Sequence, residues 1–184
     1  MMMHGPVLCG PRVMLRRPRP QDAAGRLALG NDAEIMRLFG ADATDWPPLN
    51  AASAARWVEK VEAHPHAWVI EHEGQLLGQV RLDGFDLHDA RARLAVGLYD
   101  PAKLGMGLGR EAIRLVLAHA FGPLGLHRVS LRVVAYNTRA IRCYRACGFV
   151  EEGREREAAV VGGERHDDIM MGVLAREFAG PAFS

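Results

Sequence analysis

Residues 91–113 read RARLAVGLYDPAKLGMGLGREAI, and the reading of the whole chain turns on them. Leu94 to Tyr99 is an apolar run closed by the turn signal Asp100-Pro101, which marks it as a strand. Glycines follow at 105, 107 and 109, and Glu111, Ala112, Ile113, Leu115, Val116 and Leu117 then open a helix. Glycine at alternate positions bares main-chain N–H groups where a helix leaves its first donors unpaired and presents the positive end of its dipole. The stretch is suited to an anion, and a phosphate-bearing ligand fits it.

Three phosphate-binding designs share this outline. A Walker A loop ends in Gly-Lys-Ser/Thr, whereas Gly109 is followed by Arg110 and Glu111, so that design fails. The dinucleotide fingerprint is matched on paper by Gly107-x-Gly109-x-x-Ala112. It calls for glycines directly at the strand end and an acid closing the next strand. Here several residues follow Tyr99 before Gly105, and the next strand, Val129 to Ala135, ends in Tyr136-Asn137.

The third design comes with a second motif. Residues 137–149 read NTRAIRCYRACGF: Asn137 can cap a helix, Ala140, Ile141 and Tyr144 share one helical face, and Gly148 ends the helix before a strand begins at Phe149. This segment resembles the Asn-x-x-Ala-Ile-x-x-Tyr-x-x-x-Gly-Phe motif of GNAT-type N-acetyltransferases. Leu104, Gly105, Met106, Gly107, Leu108 and Gly109 resemble that family's acyl-CoA loop, Arg/Gln-x-x-Gly-x-Gly/Ala, with Leu104 departing from it. The similarity spans about Arg12 to Phe178. A looser likeness of residues 31–37, NDAEIMR, is to the RimJ/RimL branch.

The resemblance implies an α+β fold: a mixed, mostly antiparallel central sheet with helices on both faces and a V-shaped splay between two central strands. It implies acetyl-CoA as co-substrate, a primary amine as acceptor, either a protein N-terminus or a small molecule, and no metal. The diphosphate would lie on the amides of residues 104–109 with Arg110, the carbonyl and pantetheine on the main chain of Gly97, Leu98 and Tyr99, and Asn137 beside them. Tyr144 would give its phenolic proton to the departing thiolate. The family's usual basic Glu aligns with Arg93, which cannot take a proton, so Asp83, Asp86, His88, Glu71 and Asp168 remain as candidate bases, or a water held by the backbone. Two alternatives stay open at this level: a CoA-binding sensor without turnover, and a dinucleotide-dependent enzyme.

The charge is nearly balanced, 23 basic against 22 acidic residues for a net +1, which argues against nucleic acid or an anionic membrane as main partner. No apolar run has signal-peptide or bilayer-spanning length, so a cytoplasmic protein is expected. The length suits one domain over 1–184, with 1–10 and 179–184 loose; monomer and homodimer are both open. Three cysteines make no disulfide framework, and Cys143 and Cys147 read as small apolar residues one helical turn apart. His64-Pro65-His66 reads as surface, not a metal pair.

In chain order, Arg12 to Arg17 is a strand, and Asp22 caps a helix running to Leu38 that Gly25 and Gly30 bend or split. Residues 40–50 form a loop in which Trp46 anchors to the core and Asp42 and Asp45 are solvated. The resemblance gives these three a second reading, at the acceptor pocket. A helix over Ser53 to Ala63 precedes a hairpin of Ala67–His72 and Gln75–Asp83 turning at Glu73-Gly74, then a polar turn, 84–91. A helix from Gly107 to Phe121 gives a parallel crossover between the strands holding Leu94 and Val134, and a last hairpin, 150–161 with 164–174, turns at Gly162-Gly163.

Overall fold

Ala-Trp-Val-Ile, residues 67–70, sends alternate side chains into two separate cores, and that period of two sets the layering. Trp68 and Ile70 join the larger core, and Ala67 and Val69 pack with Val61, Trp57 and Leu76 on the opposite face. The computed structural model describes residues 5–41 and 48–180. Eight strands make one sheet: β1 Leu8–Cys9, β2 Val13–Arg16, β3 Ala67–His72, β4 Gln75–Asp86, β5 Arg91–Leu98, β6 Arg128–Val134, β7 Val150–Val161 and β8 Glu164–Leu174. Their spatial order is β1-β2-β3-β4-β5-β6-β8-β7, antiparallel throughout except for the parallel pair β5–β6. The helices are α1 Asp22–Leu29, α2 Ala33–Leu38, α3 Ala51–Ala63, α4 Leu108–Phe121 and α5 Thr138–Ala146. This is the mixed, mostly antiparallel α+β architecture the motifs imply.

Helix α4 forms the crossover between β5 and β6, and its Leu108, Ala112, Ile113, Val116 and Leu117 fill the larger core. Helix α3 covers the other face, its start fixed by a reciprocal capping box between Asn50 and Ser53. The turns Glu73-Gly74 and Gly162-Gly163 have positive φ at both residues, as tight two-residue hairpins require.

Three expectations need correcting. Residues 5–10 are not loose: Leu8 and Cys9 pair with Leu15 and Met14, the Gly5 amide donates to Pro65 O at 2.9 Å, and the Trp68 indole donates to Pro6 O at 2.8 Å. Asp22 does not cap α1. It is the first helical residue, and its buried carboxylate takes two 2.8 Å hydrogen bonds from Arg16. The polar turn is shorter than expected because β4 continues to Asp86. The predicted helix over 22–38 does split, at Gly30 with φ +68°. Asp42, Asp45 and Trp46 lie outside the described residues.

Candidate active site

The parallel ladder between β5 and β6 holds only Arg91↔Arg128, Ala92↔Val129 and Arg93↔Ser130. Beyond it the strands diverge, which is the expected splay. Which amides it frees follows from the other edge of β5. The Tyr99 amide donates to Leu77 O at 2.9 Å, and in an antiparallel ladder residues alternate between bonding the partner and facing away. The register Gly78↔Leu98, Gln79↔Gly97, Val80↔Val96 therefore commits Gly97 and Tyr99 to β4 and turns the main chains of Val96 and Leu98 toward the splay. The sequence grouped Gly97, Leu98 and Tyr99 as equivalent donors. The ladder keeps Leu98 and adds Val96, which no motif marks.

Gly97 has a different task. A Cβ there would lie 2.8 Å from the Phe39 ring, so its bareness lets α2 close over the strand. Tyr99 is buried beneath this contact, edge-on to Phe39 and Trp57, with the Arg26 guanidinium 4.3 Å from its ring centroid.

Tyr99 is followed by a 3-10 turn, Pro101–Lys103, with Leu104 at its end, and then the glycine loop. Gly105 and Gly107 have φ of +79° and +80°, the left-handed region that side chains disfavour, and Gly107 is the N-cap of α4. The loop is braced from the turn that enters β2. Arg12 donates from Nη1 to Met106 O at 2.9 Å, and the Glu111 carboxylate accepts from the amides of Arg12 at 2.7 Å and Val13 at 3.0 Å and from Arg12 Nε at 3.1 Å. In a planar trans peptide the N–H points opposite to the C=O. Holding Met106 O therefore aims the Gly107 amide away from Arg12. Neither residue was identified as part of the site from sequence, because 99 positions separate them and nothing local links them.

Asn137 caps α5 as expected, accepting from the Ala140 amide at 3.1 Å, and its Nδ2 also donates to Leu38 O at 2.9 Å, tying α2 to α5. Two turns on, Tyr144 is half-buried with its ring edge against Phe149, 5.9 Å between centroids. Among the described residues its hydroxyl has no hydrogen-bond partner. Burial, with the thiols of Cys143 and Cys147 nearby, raises its pKa, so it stays protonated at neutral pH. All three cysteines are free; Cys9 is exposed and Cys147 buried.

A cleft of about 1350 Å³ joins these parts. It is lined by every residue the motifs nominated, from Gly97, Leu98 and Tyr99 through Leu104, Gly105, Met106, Gly107, Leu108, Gly109 and Arg110 to Asn137 and Tyr144. Arg139 and Arg142, cations of the α5 motif given no role from sequence, line it too. Bare amides at a helix mouth, nearby cations and an open strand edge fit a diphosphate followed by a pantetheine arm.

Of the candidate bases, Asp83 and Asp168 line the cleft. Glu71 is held by Arg16 in the network with Asp22, Asp86 accepts from the amides of His88 and Asp89, and His88 is exposed in that turn. Asp83 is committed to His64 at 2.9 Å and Arg81 at 2.8 Å. Asp168 is 4% exposed and meets Arg132 at 3.4 Å. Desolvation, with Glu155 and Asp167 near, raises its pKa despite Arg132. Among the described residues no three His, Cys, Asp or Glu side chains gather as for a metal, and no helix is long and apolar enough to cross a membrane.

Comparison with known proteins agrees with this geometry. Residues 12–150 match the family model for the acetyltransferase (GNAT) domain. The SPbeta prophage-derived uncharacterized N-acetyltransferase YokL of Bacillus subtilis (strain 168) is 26% identical over 92% of this chain and 93% of its own. Spermidine N(1)-acetyltransferase of Escherichia coli (strain K12) is 28% identical over 90% of this chain and 88% of its own. The crystal structure of spermidine N-acetyltransferase from Vibrio cholerae in complex with CoA and spermine superposes with a TM-score of 0.76 at 25% identity, covering 91% of this chain and 98% of that one. The dinucleotide alternative falls, since residues 12–150, the glycine loop included, match the acetyltransferase domain. The chain belongs to the GNAT acetyltransferase family and, as members of that family do, moves an acetyl group from acetyl-CoA to an amine.

Proposed function

We propose that this enzyme acetylates a primary amine by direct attack, with Tyr144 as the acid that meets the departing thiolate and Asp168 as the group that takes the amine's proton. The observation that carries this reading is the Tyr144 hydroxyl, unpartnered among the described residues, in one cleft with the glycine loop and the open edge of β5. Acetyl-CoA, when bound, supplies the activated carbonyl. The chain's own groups do the rest. Leu108 and Gly109, in the first turn of α4, and the Gly107 amide hold the diphosphate, with Arg110 beside them. The Leu98 amide donates to the carbonyl oxygen as negative charge develops there. Tyr144 keeps its proton until the sulfur needs it, and Asp168, buried and raised in pKa, is a stronger base than an ordinary surface carboxylate.

An amine must lose its proton before attack. A lysine-like amine has a pKa of about 10.4 and a terminal amine about 8, so a lone carboxylate suits the second better. That favours an N-terminal or other weakly basic amine and agrees with the RimJ/RimL-like character of residues 31–37. That segment enters α2, whose following residue Phe39 packs at Gly97 on the acceptor side. Release of free thiol from acetyl-CoA, followed continuously against a panel of amines, tests the proposal. Amine-dependent release supports it. Acetyl-CoA binding with no release for any amine would instead support a sensor.

A further inference from the structure

Side-chain parity divides β5 between the two faces of the sheet. Leu94 packs in the α4 core, whereas Gly97 faces Phe39, so Arg93 belongs to the Phe39 face, where the acceptor must approach. The cleft wall on that side carries three arginines, Arg81, Arg93 and Arg132, and three acids, Asp83, Asp168 and Glu155. Arg81 is paired with Asp83, and Arg132 with Asp168. Arg93 is exposed and, among the described residues, has no ion pair or hydrogen bond; of the acids, Glu155 alone lacks an ion pair. The register separates these two. Arg93 is level with Ser130 at the vertex of the splay, whereas Glu155 lies beside Asp168, level with Val134.

We infer, granting the transferase reading above, that the acceptor is bipolar: its amine is drawn to the Asp168–Glu155 end, and a carboxylate elsewhere on it is bound by Arg93. One uncompensated guanidinium matches one negative charge and binds a carboxylate through two parallel N–H donors. Ser130 and Val134 are four positions apart on the strand, roughly 13 Å, and the Arg93 guanidinium lies over Gly84 on the β4 side, so the two charges sit on an extended molecule and not on one carbon. A polyamine, the substrate named for two of the relatives, suits this wall poorly. The wall is formally neutral, and its uncompensated cation stands where a polycation would have to pass.

The test is a thiol-release assay on the intact protein with ω-amino acids and di- and tripeptides, each paired with its own carboxamide, and with spermidine. The carboxylates should exceed their carboxamides by roughly tenfold in kcat/KM, with spermidine last. Arg93→Gln should bring each pair to within about threefold while the acetyl-CoA Kd stays unchanged. Carboxamides used as well as carboxylates, or a preference that survives Arg93→Gln, would overturn the inference and leave the transferase standing. No release from any amine would remove the transferase reading, and this one with it.

Discussion

Arg12 donates to the carbonyl of Met106 at 2.9 Å, and through that bond the turn between β1 and β2 decides which way the glycine loop presents its amides. Leu104 occupies the position where the family's pattern has Arg or Gln, so the loop lacks that side-chain contact and depends more on its brace. Arg12→Met removes this half-exposed hydrogen bond, worth about 1 kcal/mol to the loop, together with the Nε pair to Glu111, so the acetyl-CoA Kd should rise roughly fivefold by calorimetry. An unchanged Kd would mean the loop holds its shape unaided.

Glu111 anchors the same brace and is 4% exposed. Glu111→Ala leaves the amides of Arg12 and Val13 without an acceptor, which should cost about 2–4 kcal/mol. Thermal unfolding should report it as a fall of several degrees in Tm.

The splay depends on close approach of main chains. A Cβ on Gly78 would lie 2.0 Å from the carbonyl oxygen of Gly97, a backbone atom that cannot swing aside. Gly78→Ala should therefore displace β5 and cost more stability and activity than Gly97→Ala, whose Cβ meets only the Phe39 ring. Urea unfolding of the two variants, with thiol release, checks the order; the reverse order would place the strain elsewhere.

Asp168 gives activity and stability opposite signs. Its folded pKa is raised above the ordinary carboxylate value, so between the unfolded and folded pKa the native state binds more protons and stability falls as pH rises through that window. Asp168→Asn should remove this loss and leave the protein at least as stable at pH 7, while kcat/KM falls by one to three orders of magnitude on the scale of general-base catalysis. A variant that is less stable and fully active would assign Asp168 to structure alone.

Much of this fold is legible in the sequence because its signals are local. The Glu73-Gly74 and Gly162-Gly163 turns, the Asn137 cap and the period of two in β3 each need only neighbouring residues. Register and long-range pairing are not written that way. That Tyr99 rather than Leu98 bonds to β4 depends on how two strands align, and the capture of Arg12 by Glu111 on how distant segments meet. Asp22 misled because an acid at a helix start resembles a cap, and the tertiary partner Arg16 outbid that local role.

Tyr144→Phe separates chemistry from binding. If the hydroxyl serves the departing sulfur, kcat should drop about 10²- to 10⁴-fold with little change in acetyl-CoA Kd. Equal losses in both would reduce Tyr144 to a packing residue.

The most direct measurement is calorimetric titration of acetyl-CoA into Gly107→Val, with circular dichroism confirming that the variant is folded. Gly107 has φ +80° at the mouth of α4, so a β-branched side chain strains the loop, and its Cβ would lie 3.2 Å from the Arg12 guanidinium that braces it. The account predicts that binding is lost while the fold survives. A folded variant that binds acetyl-CoA as tightly as the parent would contradict it and put the diphosphate somewhere else.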